Sequence, residues 1–203
     1  MKILPESWVT DRLSVRDASM EDVPHLRNIF NACSYVGEWD SSFYEETEEA
    51  FIKLVSKSLG LNHTAKDIFK MQSVLLRGGR EIIGYFHLFH DAPMPRRVWI
   101  SMFVVHPHFQ QNRYGSELAH GIWEQFRQIG EYESIWLRVS LKNWPALRFW
   151  IDLGWRTIVH YEGDTVMASD TTAAVVLEKK LTANGLKSEE LTEQVMDYSV
   201  ASS

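Results

Sequence analysis

The chain has 203 residues, 45% hydrophobic and 24% charged, with 21 Lys and Arg against 27 Asp and Glu for a net charge of −6. That mix is typical of a soluble globular protein able to bury a large core without covalent staples. One cysteine, Cys33, excludes a disulfide framework and a multi-cysteine metal cluster, and no segment has the Lys and Arg excess that a nucleic-acid backbone attracts. The opening MKILPESW carries no apolar signal region, and no uncharged apolar run approaches about 18 residues. Neither secretion nor a membrane partner is therefore expected, which leaves a cytoplasmic location.

In chain order, Leu13 and Val15 alternate with polar neighbours and predict a strand over 10–16. Ser19 precedes Glu21 and Asp22, acids placed where a helix start favours negative charge, and Val23, Leu26, Ile29, Phe30 and Cys33 follow at helical spacing. A helix over 20–33 follows from this. Residues 35–40 read as an aromatic loop, 42–58 as a second helix and 62–71 as a short further helical turn. From Gln72 the pattern changes to strands: 73–77 and 82–90 flank the turn Gly78-Gly79 as a hairpin, and 98–105 follows the Pro-rich turn 92–95. A helix over 114–129 presents Leu118, Ile122 and Phe126 on one face, and Gly130 closes it. Then come a strand over 134–140, a helix over 145–153 with Pro145 in its first turn, and two closing strands over 155–161 and 175–181. Residues 1–181 form one domain, and 182–203 a polar tail with at most a short helix near 188–197.

This order predicts an α/β fold: a mixed sheet of seven strands with helices on both faces. The strands 98–105 and 134–140, joined by the helix 114–129, form a β-α-β unit and should be parallel.

Chemistry concentrates between Val104 and Leu118, where a buried strand stops at Pro107, passes through a polar loop and enters a helix. Unpaired N–H groups at a helix start, aided by the helix dipole, favour a phosphate, and Gly115 would let the backbone approach one without an intervening Cβ. An ordinary helix-start glycine is the other reading of the same residue.

Val105-His106-Pro107-His108-Phe109-Gln110, continued to Gly115-Ser116, resembles the V-x-P-x-x-Q/R-x-x-G-x-G/A motif of the GNAT-type (Gcn5-related) acyl-CoA N-acyltransferases. Asn143 to Trp155, with Ala146, Trp150 and Gly154, is similar to the family's second segment, N-x-x-A-x-x-x-Y-x-x-x-G-F. The opening 10–16 is similar to that of many members, including those acetylating ribosomal-protein N-termini. The resemblance spans about 10–181. It implies a GNAT-type sheet whose central parallel strands splay apart, with acetyl-CoA as acyl donor and no metal. It further implies that the pantetheine arm bonds backbone at Phe103 and Val105. The backbone amides of Gln111, Asn112, Arg113, Tyr114, Gly115 and Ser116 would hold the pyrophosphate, with Gln110 in the same cofactor site. Asn143 would contact the arm, a simple loop cap being its other reading.

Two positions depart from the family pattern. Arg113 replaces the first motif glycine, and Trp150 stands where many members carry the tyrosine that protonates the leaving thiolate. An indole N–H donates a hydrogen bond but is no useful acid at neutral pH.

For the acceptor, Glu38, Trp39 and Asp40 lie in a loop expected at the substrate mouth. Six acids fall within 38–49 and no Lys or Arg lies between Arg27 and Lys53. Such a potential attracts a cation, and an aromatic ring between acids suits one. Glu38 and His87 are the candidate proton acceptors, whereas Glu45, Glu46, Glu48 and Glu49 read better as a solvated helix start. His87 and His90, three apart on a strand, face opposite ways and cannot share a metal. His106 and His108 read as solvent-facing, and Ser101 as a minor polar group on the central strand. The expected function is acetyl transfer to a small cationic primary amine. A non-catalytic acyl-CoA-binding module and an acetyltransferase of protein N-termini are the alternatives. Assembly is not legible, a homodimer being one option.

Overall fold

Tyr85 and Phe86 are neighbours on one strand yet belong to two separate apolar clusters, one on each face of a sheet. A period of two residues requires that separation. The computed structural model describes residues 2–60, 68–166, 168 and 170–181. The strands are β1 (Ser7–Val9), β2 (Leu13–Asp17), β3 (Ile68–Leu76), β4 (Ile82–His90), β5 (Arg97–Val105), β6 (Ser134–Ser140), β7 (Thr157–Gly163) and β8 (Ala173–Lys180). The helices are α1 (Val23–Ala32), α2 (Glu48–Leu59), α3 (Tyr114–Ile129) and α4 (Trp144–Asp152). Eight strands form one sheet in the order β1-β2-β3-β4-β5-β6-β8-β7. Each neighbouring pair is antiparallel except β5 and β6, the parallel pair that α3 connects.

The amphipathic faces of the helices explain the layers. α1 and α2 bury Leu26, Phe30, Phe51 and Val55 against Met71, Tyr85 and Val104. On the opposite face, Leu118, Ile122 and Phe126 of α3 and Trp150 of α4 pack with Phe86, Val98, Ile135 and Leu137. Among the described residues no helix is long and apolar enough to cross a membrane.

Several boundaries differ from expectation for local reasons. β1 is an eighth strand; with three residues it offers too little alternation to be legible. Its Trp8 is buried and donates from Nε1 to Gln72 Oε1 at 2.9 Å. The expected helical turn over 62–71 fails at 68–71, which open β3; the earlier part lies outside the described residues. Lys70 and Gln72 hid this strand because they are polar, yet both are buried: Lys70 pairs with Asp17 at 2.9 Å, and Gln72 donates to Asp17 Oδ1 at 2.7 Å. α2 starts at Glu48 rather than 42, because Thr47 caps it by accepting from the Ala50 N–H, while Asp40 to Ser42 are turned aside by their own side-chain bonds. The last two strands are offset by one or two residues, since Trp155 is buried in the core rather than paired in β7. The tail 182–203 and its short helix lie outside the described residues.

Candidate functional site

β5 and β6 pair only from Arg97–Ser134 to Ile100–Leu137, although β5 continues to Val105 and β6 to Ser140. Beyond that point the two strands part. A Cβ added at Gly84 of β4 would stand 2.5 Å from the Val104 carbonyl, so that carbonyl faces β4. The Val105 carbonyl faces the other way and accepts from Gln110 Nε2 at 2.8 Å. By strand alternation Phe103 turns its amide to the same side as Val105. Phe103 and Val105 therefore present backbone groups to a gap where no strand pairs with them. Such groups favour any ligand that supplies the missing bonds.

Two spaces that share Phe43, Phe103, Asn143 and Ala146 as walls lie at the gap. An inner pocket of about 100 Å³ is lined by Asp40, Ser101, Phe103, Leu137, Val139 and Trp150, among others. An outer cleft of about 520 Å³ runs from Phe103 and Val105 past Tyr35, Trp39 and Phe149 to Arg113, Gly115 and Ser116. The cleft ends at the start of α3, where the loop takes a demanding path. Gln111 (φ 62°) and Arg113 (φ 64°) both occupy the left-handed region. For non-glycine residues each costs roughly 1–2 kcal/mol. A left-handed residue followed by a helical one turns successive N–H groups to one side, an arrangement suited to an anion. Arg113 thus adopts the angles that the family's glycine would take without strain. Gly115 has no such backbone demand; a Cβ there would make ordinary contacts with Phe149 and Phe103, both walls of the cleft.

A strap crosses the gap from the α1 side. Trp39 O accepts from Ser140 Oγ at 3.1 Å, and Asp40 Oδ2 accepts from Asn143 Nδ2 at 3.1 Å. Asp40 Oδ1 accepts from Ser42 Oγ at 2.7 Å. Asn143 also caps α4, its Oδ1 accepting from the Ala146 N–H at 3.2 Å. The predicted acceptor loop and the predicted donor-binding asparagine are thereby brought into direct contact.

Of the residues expected to hold the donor, Phe103, Val105, Gln110, Gln111, Arg113, Gly115, Ser116 and Asn143 line the cleft. Asn112 and Tyr114 do not. The Asn112 carbonyl accepts from Arg12 at 3.1 Å, and the Tyr114 ring lies under the Arg12 guanidinium at 4.5 Å, so both serve the far side of the loop. Trp39 lines the outer cleft rather than the inner pocket, meeting Tyr35 edge-on. Glu38 is exposed and lines neither space, whereas Asp40, 8% exposed, lines the inner pocket. His87 stands behind that pocket, with Nδ1 at 2.6 Å from Ser101 Oγ and its ring against Phe69 and Tyr85. Burial, with the Lys57 charge adding to it, pushes its pKa down to about 3, so it is neutral and a weak base. Trp150 packs edge-on against Phe103, Phe149 and Trp155, and its indole N–H has no partner among the described residues.

Sequence reasoning missed Arg12, Tyr35 and Cys33. Burial pushes the Cys33 thiol up to about 11, so it meets the cleft as an inert apolar group. Only the periodic placement of Cys33, which follows the end of α1 in line with its buried residues, hinted at its position.

The family model described as the acetyltransferase (GNAT) family matches residues 24–155. No curated protein sequence matches the chain. Among solved structures, a GNAT-family acetyltransferase from Bacillus anthracis is similar with a TM-score of 0.68 at 19% identity, covering 86% of this chain and 98% of that one. An acetyl transferase from Salmonella typhimurium that modifies the N-terminal serine of ribosomal protein L7/L12 gives 0.68 at 13% identity, with coverage of 84% and 96%. A ribosomal L7/L12 alpha-N-protein acetyltransferase solved with coenzyme A gives 0.68 at 15% identity, with coverage of 88% and 98%.

Proposed function

The chain belongs to the acetyltransferase (GNAT) family, and we propose that it moves an acetyl group from acetyl-CoA to a primary amine by direct attack on the thioester. The observation that carries this reading is the parting of β5 from β6 beyond Ile100, which leaves the Phe103 and Val105 backbone facing a cleft that ends at the start of α3. A pantetheine arm supplies amide donors and acceptors for such a gap, and a pyrophosphate suits the N–H groups between Gln111 and Ser116. The inner pocket, at about 100 Å³, suits an acetyl group better than a long acyl chain.

Attack by the amine nitrogen forms the C–N bond as the C–S bond breaks, and the thiolate must receive a proton. Trp150 cannot give one. Its N–H remains a hydrogen-bond donor, and the thiolate is protonated from the acceptor nitrogen or from water.

Glu38 and Asp40 at the strap favour a cationic acceptor; the nearby Arg138 is offset by Glu162, which it meets at 2.9 Å. Acetylation of a protein N-terminus is a second reading, favoured by the fold likeness to the L7/L12 enzymes. The test is acceptor-dependent release of CoA from acetyl-CoA, measured with small amines and with peptides. Release with a cationic small amine supports the reading, and release only with peptides favours the second. Tight acetyl-CoA binding with no acceptor-dependent release indicates a binding module.

A further inference from the structure

Among the described residues lining the inner pocket and the outer cleft, Asp40 is the only carboxylate. It is 8% exposed, and its place is set rather than free: Oδ1 accepts from Ser42 Oγ and, at 3.2 Å, from the Ser42 N–H, while Oδ2 accepts from Asn143 Nδ2. Each carboxylate oxygen has about two acceptor sites, so Oδ2 retains room for one more donor. The other charged or titratable groups near this space do not compete. Arg138, on the same pocket, is engaged by Glu162 of β7. His87, reached through Ser101, stays neutral and is a weak base. Glu38, two residues before Asp40, is exposed and lines neither space.

We infer that Asp40 is the catalytic proton acceptor of the transfer, a deepening that rests on the acetyltransferase reading above. The incoming ammonium passes one proton to Asp40, directly or through one water, and its freed lone pair attacks the thioester carbonyl carbon. The C–N bond forms and the C–S bond breaks with its electron pair on sulfur. The second nitrogen proton goes to the thiolate, giving the free thiol, and Asp40 returns its proton to solvent. The same carboxylate holds Asn143, so the bond that ties the strap to α4 also fixes the base at the gap.

The experiment begins with wild-type protein, acetyl-CoA and the best amine from the acceptor panel; no acceptor-dependent CoA release there defeats the underlying reading rather than this inference. Given activity, Asp40→Asn keeps the size and removes the base, but its one acceptor oxygen can serve either Asn143 Nδ2 or the Ser42 N–H, so one strap bond is lost with it. A fall in kcat of about 10²-fold or more is expected. The acetyl-CoA Kd should stay within threefold of wild type, and the acid limb of the kcat/KM profile should disappear. Ser140→Ala loosens the strap at Trp39 yet keeps the carboxylate, so its acid limb should persist. A folded Asp40→Asn enzyme with kcat within threefold of wild type and the same pH profile overturns the assignment. If Asp40→Asn does not fold, Asp40→Glu decides: a displaced acid-limb midpoint supports the assignment and an unmoved one overturns it.

Discussion

The Arg12 guanidinium donates to the Asn112 carbonyl at 3.1 Å, tying the β1–β2 turn to the loop that opens α3. Arg12 also meets Glu117 Oε2 at 2.7 Å and lies over the Tyr114 ring. These contacts brace Asn112 between two left-handed residues and offset part of the loop's backbone cost. Arg12→Ala should therefore raise the acetyl-CoA Kd several-fold with kcat nearly unchanged. Its stability loss should stay near 1 kcal/mol, because Arg12 is half exposed and such ion pairs contribute little. Titration calorimetry beside thermal unfolding checks this; an unchanged Kd removes the brace from the account.

Trp150 separates packing from hydrogen bonding. Trp150→Ala should cost roughly 3–5 kcal/mol because the ring is buried among Phe103, Phe149 and Trp155. Trp150→Phe should keep most of that packing and most of the turnover, and Trp150→Tyr should keep or raise it. A large loss of turnover in a well-folded Trp150→Phe protein would show that the indole N–H acts on the reacting atoms.

If acceptor attraction is electrostatic, Glu38→Gln should raise the KM for a cationic amine at low salt and leave kcat unchanged. Glu38 is exposed, so the effect should fade as ionic strength shortens the screening length to about 8–10 Å. Comparing KM at low and high salt tests this, and a salt-independent KM in both proteins would leave Glu38 without a role.

Acid should loosen the fold through His90. Its Nε2 accepts from the Leu4 N–H at 3.2 Å and its Nδ1 lies 3.1 Å from the Ile68 carbonyl, so the ring must be neutral to serve both. Burial pushes its pKa down to about 4, below the ordinary histidine value. The unfolded chain thus binds the proton more readily, so stability should fall as pH drops from about 6.5 toward 4. Unfolding midpoints across that range should show a steep slope in wild type and a shallower one in His90→Gln. Equal slopes would assign the acid sensitivity elsewhere.

Much of this was legible from residue patterns. The β-α-β unit, the helices on both faces and the loop ending at Gly115 follow from periodicity and punctuation, which depend on nearby residues alone. What escaped was set by distant partners. Lys70 reads as a surface residue until Asp17 neutralises it, and Glu38 and Asp40 look equivalent until Asn143, about 100 residues away, selects Asp40. Nothing local indicates that Arg12 takes the Asn112 carbonyl, or that the extended reach of β3 pairs inside the sheet.

The central claim is that the gap between β5 and β6 receives acetyl-CoA. Amide hydrogen exchange with and without acetyl-CoA measures it most directly, because the segments concerned present backbone rather than side chains. The account predicts slowed exchange in 101–105 and 111–117, weaker slowing in the strap at 39–43, and little change in β1, β2 and β7. Binding that leaves 101–105 and 111–117 unprotected, or that protects another face of the sheet, would contradict it.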